Sequence, residues 1–443
     1  MPPRPGPASP GRAAARPLPY LTPPQTECRA APLNPLIPLA FYLFIFLLPF
    51  EAVLLPGGLE PTMLGIGLLF LATLLQPREC FRKPPAAFWF FAAYLYVSLV
   101  LGALQPRELR GEIIRLSVVH VQLTLLCWVA FNLMRRERIA RTALLLFAAA
   151  CTLLVVIQGV EIVTGGLTSG SGRLTALGLH PNTMARILAL GLLTLTSFGY
   201  ALRQASSFLR CAALIGFVLM GVSLVNTGSR GGLLALAAGL LVLALSAGDA
   251  RTRVRMLAVV LVGMSFFVWL ASRSEVTRAR FEETLASGEM ARRELIYPTA
   301  WQMVTERPLI GWGPVTCNYE LGRRLQHPEE ETKNAHNAVL FVLVATGLLG
   351  AVPFLLGSGL CLAAAWRSRR GSYGMLPLAM TITVFIANMS GVWIYNKLHW
   401  LVMAYAMASG VGPLLESTLT PRIHWLKARA VPPPPDDPGP TAL

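Results

Sequence analysis

Charge is scarce in this 443-residue chain. Asp, Glu, Lys and Arg together make up 14% of it, where a soluble protein of this size carries about a quarter. Hydrophobic residues reach 54%, so a soluble globular class is excluded and a polytopic membrane protein is expected. Acids are scarcer than bases, 22 against 38, for a formal net charge of +16. The bases are dispersed through short loops between apolar runs. No continuous basic face exists to follow a phosphate backbone, which argues against nucleic acid as a partner. Metal-site patterns are missing too. The seven cysteines (28, 80, 127, 151, 211, 317 and 361) form no CxxC pair and no Cys/His cluster. Most fall in apolar runs, where Cys behaves as a small hydrophobe, and only Cys317 sits in a long polar loop. No metal and no cofactor is expected. The opening stretch "MPPRPGPASPGRAAARPLPYLTPPQ" lacks an apolar core of signal-peptide length. Its prolines predict a disordered tail over 1–34.

What the chain has is long apolar runs. A crossing helix needs about 20 apolar residues. Runs of that kind centre on 35–55, 61–76, 86–104, 113–133, 140–163, 183–202, 208–226, 231–247, 254–272, 337–365, 375–394 and 398–416. The expected fold is therefore an all-α integral membrane protein of about twelve transmembrane helices. Nine lie in 35–272 and three in 336–417, separated by one long loop over 273–335. The second run is short, and the eleventh is interrupted by Asn388 and Ser390.

Orientation follows the distribution of Lys and Arg over short loops. One set of alternate loops carries fifteen, among them Arg136 and Arg369, and the opposite set carries five, among them Arg230. The richer set is expected to be cytoplasmic, with both termini inside. The low-complexity end 418–443 then lies in the cytoplasm, and the 273–335 loop lies outside. Within that loop, "MARRELIYPTAWQMVTERPLIGWGP" reads as an amphipathic helix ended by Pro308 and Gly311, with Arg293, Tyr297, Ala300 and Val304 recurring at helical spacing. Pro298 should kink or break it.

Three elements gather chemistry on the outer face: "LGLHPNTMAR" with His180, Asn182 and Arg186; "NTGSRGG" with Ser229, Arg230 and Gly231; and "KNAHNAVL" with His336 and Asn337. Each opens a helix. A helix start offers unpaired N–H groups and partial positive charge, a combination that binds anions. The glycines at 228, 231 and 232 let a ligand approach the backbone. Arg230 adds a planar fork for phosphate. With Arg293 from the loop, these residues predict an electropositive pocket suited to a diphosphate, with no carboxylate cluster to suggest a bridging metal.

Plainer roles compete at each position. Arg230 is also a natural interfacial anchor, the glycines suit helix packing, and His336 suits a helix cap. His-Pro-Asn at 180–182 is a good turn in its own right. His120 reads as a satisfied interior polar group, and His327, His399 and His424 have no context that raises them.

Four motifs in order, "GLHPNTMA", "NTGSRGG", "Arg293…Tyr297…ERPLIGWGP" and "AHNAVLFVLVATGLLG", span roughly 175–350. Together they resemble the O-antigen ligase family, whose superfamily includes polysaccharide polymerases and bacterial protein O-oligosaccharyltransferases. The resemblance implies a multi-helix membrane glycosyltransferase of the bacterial inner membrane. Its donor would be a polysaccharide on undecaprenyl pyrophosphate and its acceptor the lipid A–core oligosaccharide at the periplasmic face. It places the family's arginines at Arg230 and Arg293 and its histidine at His336. Tyr297, where tryptophan is common, and Pro298 depart from the pattern and keep Arg292 open as a substitute for Arg293. The proline-rich N-terminal tail lies outside the resemblance.

A lipid-linked sugar flippase remains the alternative from another class. Transporters tend to place ionisable groups near the midplane, whereas here the middles of the runs are almost free of charge. A purely structural scaffold explains neither the arginine turn nor the long loop. Within the superfamily, the polymerase stays open, and a protein O-oligosaccharyltransferase often carries a soluble region that this chain does not show.

Overall fold

The computed structural model describes residues 31–51, 53, 58–164, 175–203, 205–245, 250–273, 293–325, 332–412 and 414. Among them there are helices and no strand. In chain order the helices are α1 Leu36–Leu47, α2 Pro61–Thr73, α3 Pro77–Cys80, α4 Ala86–Ala103, α5 Arg110–Met134, α6 Glu137–Val163, α7 Pro181–Arg203 and α8 Ser207–Asn226. They continue with α9 Arg230–Leu245, α10 Ala250–Arg273, α11 Arg293–Glu306, α12 Thr316–Arg324, α13 Ala338–Arg367, α14 Leu376–Asn388 and α15 Lys397–Val411.

Each of the twelve apolar runs falls on a helix. Among the described residues, five helical segments are long and apolar enough to cross a membrane: Ala86–Ala103, Arg107–Met134, Glu137–Val163, Ser207–Asn226 and Ala338–Arg370. Leu36–Phe50, Pro61–Thr73, Arg230–Leu245 and Leu376–Asn388 are shorter apolar helices. These are the features of a multi-pass membrane protein. The tails over 1–30 and 418–443, the loop segments 274–292 and 326–331, and with them Arg292, His327 and His424, lie outside the described residues.

The core is built by α13 against α4, α14 against α9 and α15 against α5, with α7 packed on α8 and α9. α15 is buried along almost its whole length, from Lys397 to Ser409. The apolar residues that remain exposed, such as Leu39, Leu71, Leu234 and Val262, lie on outward faces. Such a surface suits a solvent of lipid tails, where close packing rather than burial from water holds helices together.

The described part of the long loop holds two helices, not one. α11 begins at Arg293 and ends at Glu306, two residues before Pro308. Its buried face is Ile296, Ala300, Met303 and Val304. The helix runs on through Pro298, which removes one backbone hydrogen bond from it. α12 follows, its first turn held by Gln105, whose Oε1 accepts from the backbone N–H of Thr316 at 2.9 Å.

Between these helices the segment Pro308–Gly313 is spliced into α13. Gly347 leaves helical geometry at φ 57° and ψ −159°, which breaks the helix there. The groups freed by the break are taken up by the loop. Trp312 and Gly313 donate to the carbonyls of Val344 and Ala345 at 2.8 and 2.9 Å, and Leu348 and Leu349 donate to Pro308 and Leu309 at 2.8 and 3.1 Å. Irregular backbone inside a bilayer is tolerated only when its polar groups are satisfied in this way. The approach is close enough that a Cβ on Gly347 would stand 2.3 Å from the Leu309 carbonyl carbon.

Lys397, buried at the start of α15, pairs with Glu51 and lies 3.4 Å from Glu60. A buried cation with two carboxylate neighbours is satisfied inside the protein. His120, on α5, is buried in the interior, as its sequence context suggests. Its ring meets that of Tyr395 edge-on at 5.5 Å.

Candidate active site

α7 starts with Pro181 at its first position, where a missing N–H costs nothing. His180, just outside, is exposed. Its Nδ1 accepts from the Asn182 backbone N–H at 3.2 Å, so this ring acts at least as a cap. Arg186, farther along the helix, is 5% exposed. Its guanidinium lies 5.6 Å from the centre of the Trp393 ring. A Cβ on Gly391 would stand 2.1 Å from its Nη2. A side chain there would have to displace the guanidinium.

The NTGSRGG turn folds through Gly228 at φ 59°. Ser229 caps α9, its Oγ accepting from the Gly232 N–H at 3.3 Å. Arg230 is the first helical residue and is half-buried. A Cβ on Gly231 would meet Ser390 Oγ at 2.2 Å, and one on Gly232 would meet the Cβ of Ala185 at 2.6 Å. The glycines therefore seat the start of α9 against α7 and against the turn after α14.

Two further elements reach that same turn. Arg293 Nη2 donates to the Ser390 carbonyl at 3.0 Å, and Tyr297 donates its hydroxyl to the Met389 carbonyl at 3.3 Å. Asn337 caps α13, accepting from the N–H groups of Val339 and Leu340 at 3.0 and 3.1 Å. Its Nδ2 lies 3.8 Å from the Met389 sulfur. Arg186, Gly231, Arg293, Tyr297 and Asn337 thus converge on three residues, Met389 to Gly391.

His336, just ahead of that cap, adopts a left-handed backbone at φ 51°. Its N–H donates to Asn334 Oδ1 at 3.0 Å. Partial burial first, then the positive charge of Arg293, and then Lys333, His180 and Arg186, push its imidazole down to about 4. His336 is accordingly neutral at physiological pH. Neither Arg186 nor Arg293 pairs with a carboxylate among the described residues. No group of three His, Cys, Asp or Glu side chains able to hold a metal occurs among them.

The Met389–Gly391 turn was not singled out as a site from the sequence. Its signal was the polar Asn388 and Ser390 inside an apolar run. Asn388 is buried and shapes the turn from behind: its Oδ1 accepts from the Trp393 N–H at 2.9 Å, and its Nδ2 lies 3.2 Å from His399 Nδ1. His399 thus gains a context that its position in the sequence does not reveal.

Chemically, two carboxylate-free guanidiniums, three helix starts and a neutral imidazole can hold an anion and accept a proton beside it. Residues 215–355 match a family model described as O-antigen ligase. That is the family this chain resembles. The match to the O-antigen ligase model takes in Arg230, Arg293 and His336 and stops short of the Met389–Gly391 turn. An O-antigen ligase of Pseudomonas aeruginosa is 25% identical over 348 residues, which is 76% of this chain and 80% of that relative.

Proposed function

We propose that this protein is an O-antigen ligase. It would transfer polysaccharide from undecaprenyl pyrophosphate to the lipid A–core oligosaccharide at the periplasmic face of the bacterial inner membrane. The observation that carries this reading is the convergence of Arg186, Arg293 and the Arg230-bearing turn beside neutral His336, within a chain similar to that family.

The proposed reaction is a single direct displacement. The acceptor hydroxyl oxygen attacks the anomeric carbon while the bond from that carbon to the pyrophosphate oxygen breaks. The electron pair leaves on the pyrophosphate, and the hydroxyl proton passes to His336. Undecaprenyl pyrophosphate departs, and the anomeric configuration inverts. Arg230 and Arg293, with Arg186 behind them, stabilise the charge that grows on the leaving group, a contribution that usually dominates when the groups are preorganised. The arginines supply the positive charge that a divalent metal supplies elsewhere. The energy arrives with the donor, as it must in a compartment without ATP.

The same charges tune the base. Burial is the first cause of the low value, and Arg293 and Arg186, whose charge a bound diphosphate would offset, add to it. Donor binding therefore raises the basicity of His336 by the part of the shift that those arginines cause. The base becomes effective when there is a leaving group to expel.

The test is transfer in vitro with purified protein, lipid-linked polysaccharide and separate acceptors. Polysaccharide attached to lipid A–core supports the ligase. Chains that lengthen on the lipid carrier while lipid A–core is ignored would make the protein a polymerase.

A further inference from the structure

A cavity of about 830 Å³ lies at the opposite helix ends from the candidate site. It opens beside the C-terminal end of α9, whose first residue is Arg230, and some sixteen residues of helix separate the two, roughly 24 Å. Its walls are apolar: Val242, Leu245, Leu362, Leu378 and Ile382. Its mouth is lined by Arg253, Arg369 and Arg370, with no carboxylate among the described lining residues. Trp366 stands at the same rim, about half exposed. Arg369 folds over its ring at 4.4 Å and donates to its carbonyl at 2.9 Å.

The combination is selective. An apolar cleft alone would take any acyl chain, and arginines alone would take any soluble anion. Apolar walls that rise to a cluster of guanidiniums ask for both in one molecule. A tryptophan at that level suits the boundary between hydrocarbon and headgroups. A zwitterionic headgroup would bring a further cation to a rim that already holds three.

We propose that this cavity binds an anionic glycerophospholipid, its phosphate held by Arg253, Arg369 and Arg370 and an acyl chain laid along the α9, α13 and α14 walls. The inference rests on the membrane-spanning reading of these helices and not on the transfer chemistry. Basic pockets between membrane helices are a known mode of lipid headgroup recognition. Because α9 and α14 run from this cavity to the NTGSRGG and Met389–Gly391 turns, a lipid here buttresses two elements of the site from below.

Native mass spectrometry of delipidated protein tests this, with phosphatidylglycerol and phosphatidylcholine of identical chains. Three variants are compared with the wild type: Arg369→Gln/Arg370→Gln, Arg369→Lys/Arg370→Lys and Gly359→Leu. Gly359 lines the cavity, and a Cβ there meets nothing within 4 Å, so a leucine fills the space without disturbing the helix. Wild type should prefer phosphatidylglycerol by at least about tenfold, the order expected of several arginines at an anionic headgroup. The glutamine pair should abolish that preference, the lysine pair should keep most of it, and Gly359→Leu should exclude both lipids, each variant eluting monodisperse. Equal binding of the two lipids by wild type, or an unchanged preference in the glutamine pair, overturns the proposal. So does displacement by glycerol 3-phosphate at the lipid's own concentration, which would make the cavity a soluble-anion site. A ligase assay that fails leaves this result untouched, so the two readings fall separately.

Discussion

Arg293 and Ser390, 97 residues apart, are joined by a hydrogen bond of 3.0 Å from guanidinium to backbone carbonyl. It ties the start of α11 to a turn between two apolar helices, and the same turn leaves no space beside Arg186 and Gly231. The site is therefore sensitive to single methyl groups. Gly391→Ala should displace the Arg186 guanidinium, and Gly231→Ala should strike the Ser390 side chain. Both should lower transfer at least about tenfold, a rise of about 1.4 kcal/mol in the barrier. Replacing Ser390 with glycine should restore much of the activity of Gly231→Ala and none of that of Gly391→Ala. Rescue of neither, with normal folded yield, would show that the turn is not what positions the arginines.

The two proposed roles separate by substitution. His336→Ala should cut transfer about 10²–10⁴-fold, the usual contribution of a general base, while lipid-linked donor still binds. Arg230→Lys keeps the charge and loses the planar fork, so it should be nearly as inactive as Arg230→Ala. Direct donor binding measured beside transfer decides both. Wild-type transfer by His336→Ala would leave that histidine as a helix cap only.

The pH dependence carries a sign. Protonated His336 accepts no proton, so activity falls as pH falls. The acid limb of kcat/KM reports the free enzyme and should have its midpoint near 4. The limb of kcat reports the donor complex and should lie higher, because the diphosphate offsets the arginines. Arg293→Gln removes the largest neighbouring charge on His336 and should move the kcat/KM limb upward. A downward shift would contradict the assignment.

Transfer should persist in the presence of a chelator, because the arginines rather than a divalent ion are proposed to hold the diphosphate. Complete loss, restored by added magnesium or manganese, would overturn that part of the mechanism.

The splice between the loop and α13 predicts a stability effect away from the chemistry. Gly347→Ala forces a side chain onto a backbone conformation that suits glycine, and its Cβ would stand 2.3 Å from the Leu309 backbone. A cost of at least ~2 kcal/mol follows from strain of this kind. Thermal unfolding in detergent should show it. An unchanged melting temperature would mean that the loop is not threaded into the helix.

The helices were legible because apolar run length is a one-dimensional signal, and all twelve runs fall on helices. The starts of α7, α9 and α13 were legible for a related reason: Pro181 needs no partner at a first helical position, and Ser229 and Asn337 accept from nearby N–H groups. Arg293 and Tyr297 could be paired along a helix, but their partners at Ser390 and Met389 could not, because that contact is set by packing of α11 on distant segments. The break at Gly347 was hidden inside a run that reads as one continuous helix. Glycine is common in membrane helices, and only the neighbouring loop shows why this one is needed. His120 is legible as an interior group, and the fold buries it with its ring edge-on to that of Tyr395.

The splice also limits how substrate reaches the site. α11 is fastened to the Met389–Ser390 turn by its first residues, and the segment that leaves it is sewn by four backbone hydrogen bonds into the first half of α13. Opening bonds of this kind costs about 4–6 kcal/mol apiece where no water takes their place. A helix anchored so firmly does not swing like a lid. Both proposed substrates are lipid-borne, so each would arrive by sliding within the bilayer between helices rather than by descending from solvent. The pace of turnover would then follow lateral exchange of two bulky lipids, and it should answer to membrane fluidity more than to loop sequence.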